Sequence, residues 1–228
     1  MPHITISIDG PTASGKTTLA TSLAQHLGLT FLDTGLTFRS LAYALSREPV
    51  KNPRVRLGVE LKHRPAVYNA SGLLTQSHAI FLHEKEITDE IWDPSLDENL
   101  KEISKEPVLR QEILRVHRDI VDECGNVVVV GRDTGATLLP IANLQIYLTA
   151  SLVVRRERRR AQYRDRSDRS TAVGPPTARD EANRLAVRAL NNSVEIQSTY
   201  LPASAVLACA LNRLNQNPTH ISERRDET

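Results

Sequence analysis

The residues best suited to chemistry stand near the start of the chain. Gly10-Pro11-Thr12-Ala13-Ser14-Gly15-Lys16-Thr17 has the spacing glycine, four residues, glycine, lysine, then serine or threonine. Between a buried strand and a helix start, such a loop aims successive backbone amides and the positive helix end at one anion. The lysine reaches the outer phosphates and the threonine hydroxyl ligates Mg²⁺. Gly10, Pro11, Thr12, Ala13, Ser14, Gly15, Lys16, Thr17 and Thr18 are therefore the expected nucleotide contacts, with Thr17 and Asp33 as the expected metal contacts. Cations follow from four separated segments, Arg39, Arg132, Arg159 and Arg184. Transfer of a charged group between two phosphorylated reactants needs this kind of supply. Arg132 follows Val127–Val130 and Gly131, at the end of a strand expected to be buried, where a charge without a ligand would be costly.

The elements that must hold these residues are legible on both sides of the loop. Ile4, Ile6 and Ile8 alternate with Thr5 and Ser7, a short strand ending at Asp9; Leu19, Leu23 and Leu27 then repeat every four residues up to Gly28, a helix with its stop. Leu29–Leu32 is a second strand that delivers Asp33-Thr34-Gly35 at its C-terminal end, the edge where ligands of open α/β sheets gather. Phe38, Leu41, Ala42 and Leu45 mark the next helix. From about Val59 to Trp92 the texture changes to short alternating runs, Ala66-Val67-Tyr68 and His78–Leu82, separated by the turn cluster Asn69-Ala70-Ser71-Gly72, which predicts a small inserted antiparallel sheet. Pro107 suits the first turn of a helix that runs on through Ile120. Consecutive valines at 127–130 predict a parallel strand buried on both faces. A strand over 144–148, an arginine-rich helix, a helix from about Ala178 to Asn191, a strand at 194–196 and a last helix from about Pro202 complete the pattern.

Strands alternating with helices behind a phosphate loop predict a three-layer P-loop α/β fold with a central parallel sheet, helices on both faces, and the site at the strands' C-terminal ends. The expected division is a core of residues 1–57 and 106–216, an acceptor-binding insert of residues 58–105, a lid at about 160–180, and a loose tail from 217 to 228. The 228 residues carry 29 Lys and Arg against 27 Asp and Glu, so the overall charge of +2 says little about partners. Arginines instead crowd the stretch from Arg155 to Arg169, where aromatics are too sparse to suggest nucleic acid. Cys124 and Cys209 match no metal spacing and are expected to be reduced thiols. His3, His26, His63, His78, His83, His117 and His220 form no metal spacing either, and are expected on surfaces or helices. No apolar run reaches the ~20 residues that span a bilayer. A cytoplasmic monomer without membrane or nucleic-acid partners is the expectation.

No Asn-Lys-x-Asp base-reading motif is present, which argues against a GTPase, and the chain is short for a motor ATPase. At this point the residues resemble a known family, the bacterial cytidylate kinases. The matching stretches are Ile6–Pro11 running into the loop; Leu32–Gly35 with Phe38-Arg39; Gly131-Arg132-Asp133-Thr134-Gly135 with Pro140; Tyr147–Ser151 with Arg155, Arg158 and Arg159; and Asn183-Arg184. They span nearly the whole chain in the family's order.

The resemblance implies transfer of the γ-phosphoryl group of ATP, with Mg²⁺, to CMP or dCMP. It implies that Lys16, Arg39, Arg132, Arg159 and Arg184 form the catalytic cations and that Arg155, Arg158 and Arg159 belong to an ATP-side lid. On the acceptor side it implies Thr34, Gly35, Arg39, Arg132, Glu181 and Arg184 around sugar and phosphate, and Arg110 with Asp133 on the cytosine edge. An arginine can donate to the ring carbonyl and nitrogen while a carboxylate accepts from the exocyclic amine. The sequence departs from the family at Trp92, where an arginine is usual, at Lys101, where a serine helps hold the base, and at Arg188, in place of an Ala-Pro segment. Trp92 and Lys101 are accordingly expected to face the acceptor, which extends the acceptor class to a base-modified cytidine monophosphate. Two other classes share the loop: a small-molecule kinase with a non-nucleotide acceptor, which needs no base-reading pair, and a non-catalytic nucleotide-binding regulator, which would not need the transfer arginines.

Overall fold

The computed structural model describes residues 3–47, 61–162 and 173–216. The expected lid centre, the tail from 217 and the chain around Pro49 and Pro53 lie outside these residues.

Strand β1 (Thr5–Asp9) runs into the phosphate loop and α1 (Lys16–Leu27), after which β2 (Thr30–Asp33) leads without a loop into α2 (Thr34–Arg47). The insert supplies β3 (Leu61–Arg64), β4 (Ala66–Tyr68), β5 (Leu74–Gln76), β6 (Ala79–Leu82) and β7 (Lys85–Glu86), then two short 3₁₀ turns at Glu90–Trp92 and Pro94–Leu96. Helices α3 (Asp97–Ile103) and α4 (Pro107–Cys124), strand β8 (Val127–Val130) and the single turn α5 (Thr134–Thr137) follow. The chain closes with β9 (Leu144–Thr149), α6 (Leu152–Gln162), α7 (Ala178–Arg188), β10 (Ser193–Gln197) and α8 (Ala203–Asn215).

The main sheet has the order β10-β9-β1-β8-β2-β4-β5. Its first five strands are parallel, with Ile6 beside Val128 on one side and Leu144 on the other. The insert was expected to form one small sheet, but it splits. Strands β4 and β5 extend the main sheet antiparallel to β2, with Phe31 beside Ala66, while β3, β6 and β7 form a separate three-stranded sheet. The physical reason is an open edge: β2 has unpaired backbone on its outer side, and an adjacent short strand satisfies it. Short-range alternation cannot tell which edge a strand will choose.

Alternation across β8 shows how the layers form. Val128 and Val130 pack with Ile6, Ile8, Leu23 and Ala210 on one face, whereas Val127 and Val129 pack with Leu32, Val121 and Leu139 on the other. All four valines are at most 2% exposed, so a run without polar residues is what this strand requires. A third apolar cluster joins α2 to the insert through Leu36, Leu41, Ile80, Ile87, Ile91 and Ile113. No described helix is long and apolar enough to cross a membrane, and Cys124 and Cys209 are free.

His117 lies on a helix, as expected, whereas His63 departs from expectation in lying buried on a strand. His63 and His117 are buried and share one hydroxyl, Thr37 Oγ1, at 2.9 Å from His63 Nδ1 and 2.8 Å from His117 Nε2. The hydroxyl donates to one ring and accepts from the other. Burial pushes His117 down to about 4 and drives His63 well below its ordinary 6.5, with the neighbouring histidines adding to the shift at His63. Both rings are therefore neutral in the fold at pH 7. A group whose folded pKa is depressed contributes stability that is present above its unfolded value and lost as pH falls toward the folded one. Urea-unfolding midpoints should consequently fall between pH 6.5 and about 4, and His117 alone should account for a loss on the order of 3 kcal/mol. His117→Gln, which keeps a hydrogen-bonding side chain but does not titrate, should show a shallower fall over that interval.

Candidate active site

The phosphate loop is held open by donors that occupy its carbonyls. Lys16 Nζ donates to the Gly10 and Pro11 oxygens at 2.8 and 2.9 Å. Arg155 donates to the Thr12 oxygen at 3.2 Å, Arg158 and the Ser198 hydroxyl both donate to the Ser14 oxygen at 3.0 Å, and the Leu19 amide donates to Gly15. With these carbonyls engaged, the first-turn amides of α1, which have no intrahelical acceptor, are left to bind an anion. Gly10 sits at φ +146°, and a Cβ there would collide with the Leu148 carbonyl, so glycine is required.

Arg155 and Arg158, expected on an ATP-side lid, bond to the backbone of the phosphate loop itself. Arg155 is buried, with further bonds to the Ala150 and Gly174 oxygens; Arg158 also donates to the Ser198 carbonyl and hydroxyl. Both brace the loop's backbone from behind. Arg159, on the same helix, is half-buried.

Beside the loop, Asp9 is fully buried at the end of β1. It accepts the Thr134 amide and hydroxyl at 2.8 Å each and the Gly135 amide at 2.7 Å. Burial raises its pKa, and these bonds pull the other way. A Cβ on Gly135 would lie 2.9 Å from Ser7 Oγ and 3.1 Å from the Asp9 carboxylate, so only glycine lets the second loop come this close. Asp9 thereby ties the Gly131–Gly135 loop to the phosphate loop, and Arg132 reaches across to Thr12 Oγ1 at 2.9 Å. Arg132 is not buried, although the valine strand had suggested it: its side chain is 48% exposed, because the strand ends at Val130, two residues before it. Its availability rests on exposure and on Asp180 3.8 Å away.

A cleft of about 400 Å³ opens on the other side of Asp133, lined by Thr34, Phe38, Lys105, Arg110, Thr134 and Leu138 among others. Arg110 is ion-paired to Asp133, and Arg179 approaches the same carboxylate oxygen at 3.5 Å. Both arginines also donate to the Ser104 carbonyl at 3.3 Å. Burial first, then the like charges of Arg110 and Arg132, push the Arg179 guanidinium down, with Asp133 opposing. Positive charge is thus in excess, and a bound anion would relieve it. The Thr34 hydroxyl donates to the Val130 carbonyl at 2.8 Å, and the Gly35 amide donates to Asp33.

Several expected acceptor contacts lie elsewhere. Arg184 is held by Glu195 on β10, its Nε 3.0 Å from both carboxylate oxygens, and pairs with Glu181 one turn earlier. Arg184 and Arg188 line a separate surface cavity. Five residues turn a helix by about 140° beyond a full circle, so Arg179 and Arg184 cannot face the same site. Arg179 and Asp180, neither among the expected contacts, are the residues that face Asp133 and Arg132. A signal existed: Glu181, Arg184 and Arg188 share one helical face at i, i+3 and i+7, and Thr177 with Asp180 forms a capping box that fixes the start of α7. Lys101 is exposed on α3 and absent from the cleft lining, where Lys105 stands instead. Trp92 is also absent from that lining; its ring lies under Arg39, with the guanidinium carbon 5.0 Å from the ring centre.

The donor set fits Mg²⁺. Thr17 is exposed on the first turn of α1, and Asp33 accepts a single amide bond at 3.0 Å, leaving carboxylate oxygen to spare. Among the described residues no cluster of three or more His, Cys, Asp or Glu could hold a metal.

A phosphate loop braced by arginines and tied through Asp9 to a second loop, beside a cleft where Arg110 and Arg179 meet Asp133, defines a P-loop phosphotransferase. A model of the cytidylate kinase family matches residues 6–216, and the chain belongs to that family. A cytidylate kinase of Thermotoga neapolitana is 38% identical over 160 residues, covering 69% of each chain. Those of Streptococcus equi subsp. zooepidemicus and Chloroflexus aggregans are 34% and 33% identical, covering 79% and 72% of this chain and 78% and 71% of theirs.

Burial and the nearby Arg132 charge lower the Lys16 ammonium to about 8, against the pull of Asp33, Asp9 and Asp180. Anionic phosphate binds the protonated form. ATP affinity measured by calorimetry should therefore be flat below pH 8 and weaken by up to about tenfold per unit above it, whereas Lys16→Arg, which stays charged, should show no such fall.

Proposed function

We propose that the protein is an ATP-dependent nucleoside-monophosphate kinase that transfers the γ-phosphoryl group of ATP to CMP or dCMP, or to a base-modified cytidine monophosphate, giving the diphosphate. The observation that carries this reading is the pairing of two anion-directed elements through one buried carboxylate: the Lys16 loop on one side of Asp9 and the Arg132–Asp133 loop with its cationic cleft on the other. Membership of the cytidylate kinase family supports the same acceptor.

In this reading an acceptor phosphate oxygen attacks the γ-phosphorus in line, a new P–O bond forms, and the bond to the β,γ-bridging oxygen breaks to leave ADP. Lys16 and the first-turn amides hold the donor phosphates. Arg39 and Arg132 grip the acceptor phosphate and offset the charge that spreads over the transferred group, and Arg179 takes the place assigned to Arg184 beside the acceptor. Thr17 and Asp33 would hold Mg²⁺, which when bound neutralises the β- and γ-phosphate oxygens. Arg110 and Asp133, now paired with each other, would exchange that pairing for the complementary acceptor and donors of a cytosine edge, which uracil cannot match.

A coupled phosphoryl-transfer assay across CMP, dCMP, UMP, AMP and base-modified CMP tests the assignment. CMP and dCMP should be turned over in preference to UMP and AMP, and strong discrimination in favour of plain CMP would remove the modified acceptor. Lys16→Ala should lower transfer by about 10²–10³-fold with an unchanged melting temperature. No turnover of any nucleotide, with turnover of a sugar or a small acid, would transfer the protein to the non-nucleotide kinases. Arg179→Met should raise the KM for CMP by about tenfold, whereas Arg184→Met should leave it within about twofold.

A further inference from the structure

We propose that Trp92 positions Arg39 for the acceptor phosphate, acting through the guanidinium and not by touching the acceptor. The inference rests on the role given to Arg39 above.

Arg39 projects from α2 between two environments. On one side, α2 begins directly after Asp33 at the end of β2, which puts Arg39 in its second turn, close to the phosphate side of the site. On the other side its guanidinium meets the insert at three points: the Ile91 carbonyl at 3.5 Å, Asp97 Oδ1 at 3.3 Å, and the Trp92 ring. The side chain is only 15% exposed.

These contacts fix orientation at a modest electrostatic cost. A guanidinium has five N–H donors in a rigid plane, and the two hydrogen bonds here leave the others for a phosphate. Stacking on an indole restrains the plane while making no claim on its edge donors. Trp92 itself is firmly based. It ends the turn Glu90–Trp92, its amide bonded to the Asp89 carbonyl at 3.3 Å, and it follows Ile91, which is fully buried in the cluster that joins α2 to the insert. The insert thus carries a plate against which Arg39 is set. Without it, the long side chain would have to be ordered by the acceptor itself, at the expense of affinity.

The test is a mutant cycle. Trp92→Ala should raise the KM for CMP by about tenfold, with kcat changed by less than about threefold and the KM for ATP unchanged, and Trp92→Phe, which keeps an aromatic face and the packing, should restore most of the loss. In an Arg39→Met background, Trp92→Ala should add nothing further. A full additional loss there would mean that Trp92 touches the acceptor, and would overturn the inference. So would a parallel loss in kcat and in both KM values with a lowered melting temperature, the mark of a purely structural role. A second readout needs no turnover. Trp92 is the single tryptophan of the chain, so inorganic phosphate titrated against intrinsic fluorescence should give a saturable change that Arg39→Met abolishes. If no nucleotide is phosphorylated yet this response appears and depends on Arg39, the functional reading falls and the inference stands; no response, or one indifferent to Arg39→Met, overturns the inference.

Discussion

One buried carboxylate organises the site. Asp9 stands at the C-terminal end of the central strand, with β8 and β9 on either side, and a charge in that position is tolerated only because three donors converge on it. Hydrogen bonds to a charged group contribute about 1.5–3 kcal/mol each, which offsets its desolvation only if all are kept. Since the donors come from Thr134 and Gly135 and the phosphate loop begins at the next residue after Asp9, the same requirement fixes the distance between the two loops. Glycine at 135 follows from it, because any side chain would separate the loops.

Around that fixed point, cations do two kinds of work. Arg155 and Arg158 spend their donors on loop carbonyls, an arrangement that makes the loop rigid before any ligand arrives. Arg132, Arg110 and Arg179 remain near one another with Asp133 and Asp180 as partial counter-charges. A cluster of that composition is strained by its own repulsion, and a phosphate entering it relieves the strain. Preorganised charge of this sort is where phosphoryl transfer finds most of its catalysis.

The insert contributes less by forming a separate body than by reaching back. Two of its strands extend the main sheet beyond β2, and its apolar turn around Ile91 packs under α2. Consequently Arg39, borne on the core, is oriented by Trp92 and Asp97, borne on the insert. His63 on β3 and His117 on α4 meet at Thr37 on α2 in the same region, so the two parts are joined by a polar contact as well as an apolar one. Both imidazoles stay neutral because burial there penalises the charged form.

Local sequence determined what depends on local physics. The phosphate loop, the strand and helix around it, the doubly buried valine strand, the proline at the start of α4 and the family itself were all readable, because spacing and periodicity encode φ/ψ demands and burial directly. What only the tertiary structure decided were matters of partner choice. The edge of β2 recruited β4 and β5, since a hydrogen-bonding edge is visible only once the sheet exists. The exposed setting of Arg132 depended on the course of the loop after β8, and the burial of His63 and His117 on the meeting of elements far apart in the chain. The largest revision, Arg179 for Arg184 beside the cleft, turned on the rotation of α7 about its own axis. Matching residue types fixes composition along a helix, but with about 100° between successive residues only the packing of that helix decides which arginine meets Asp133 and which meets Glu195.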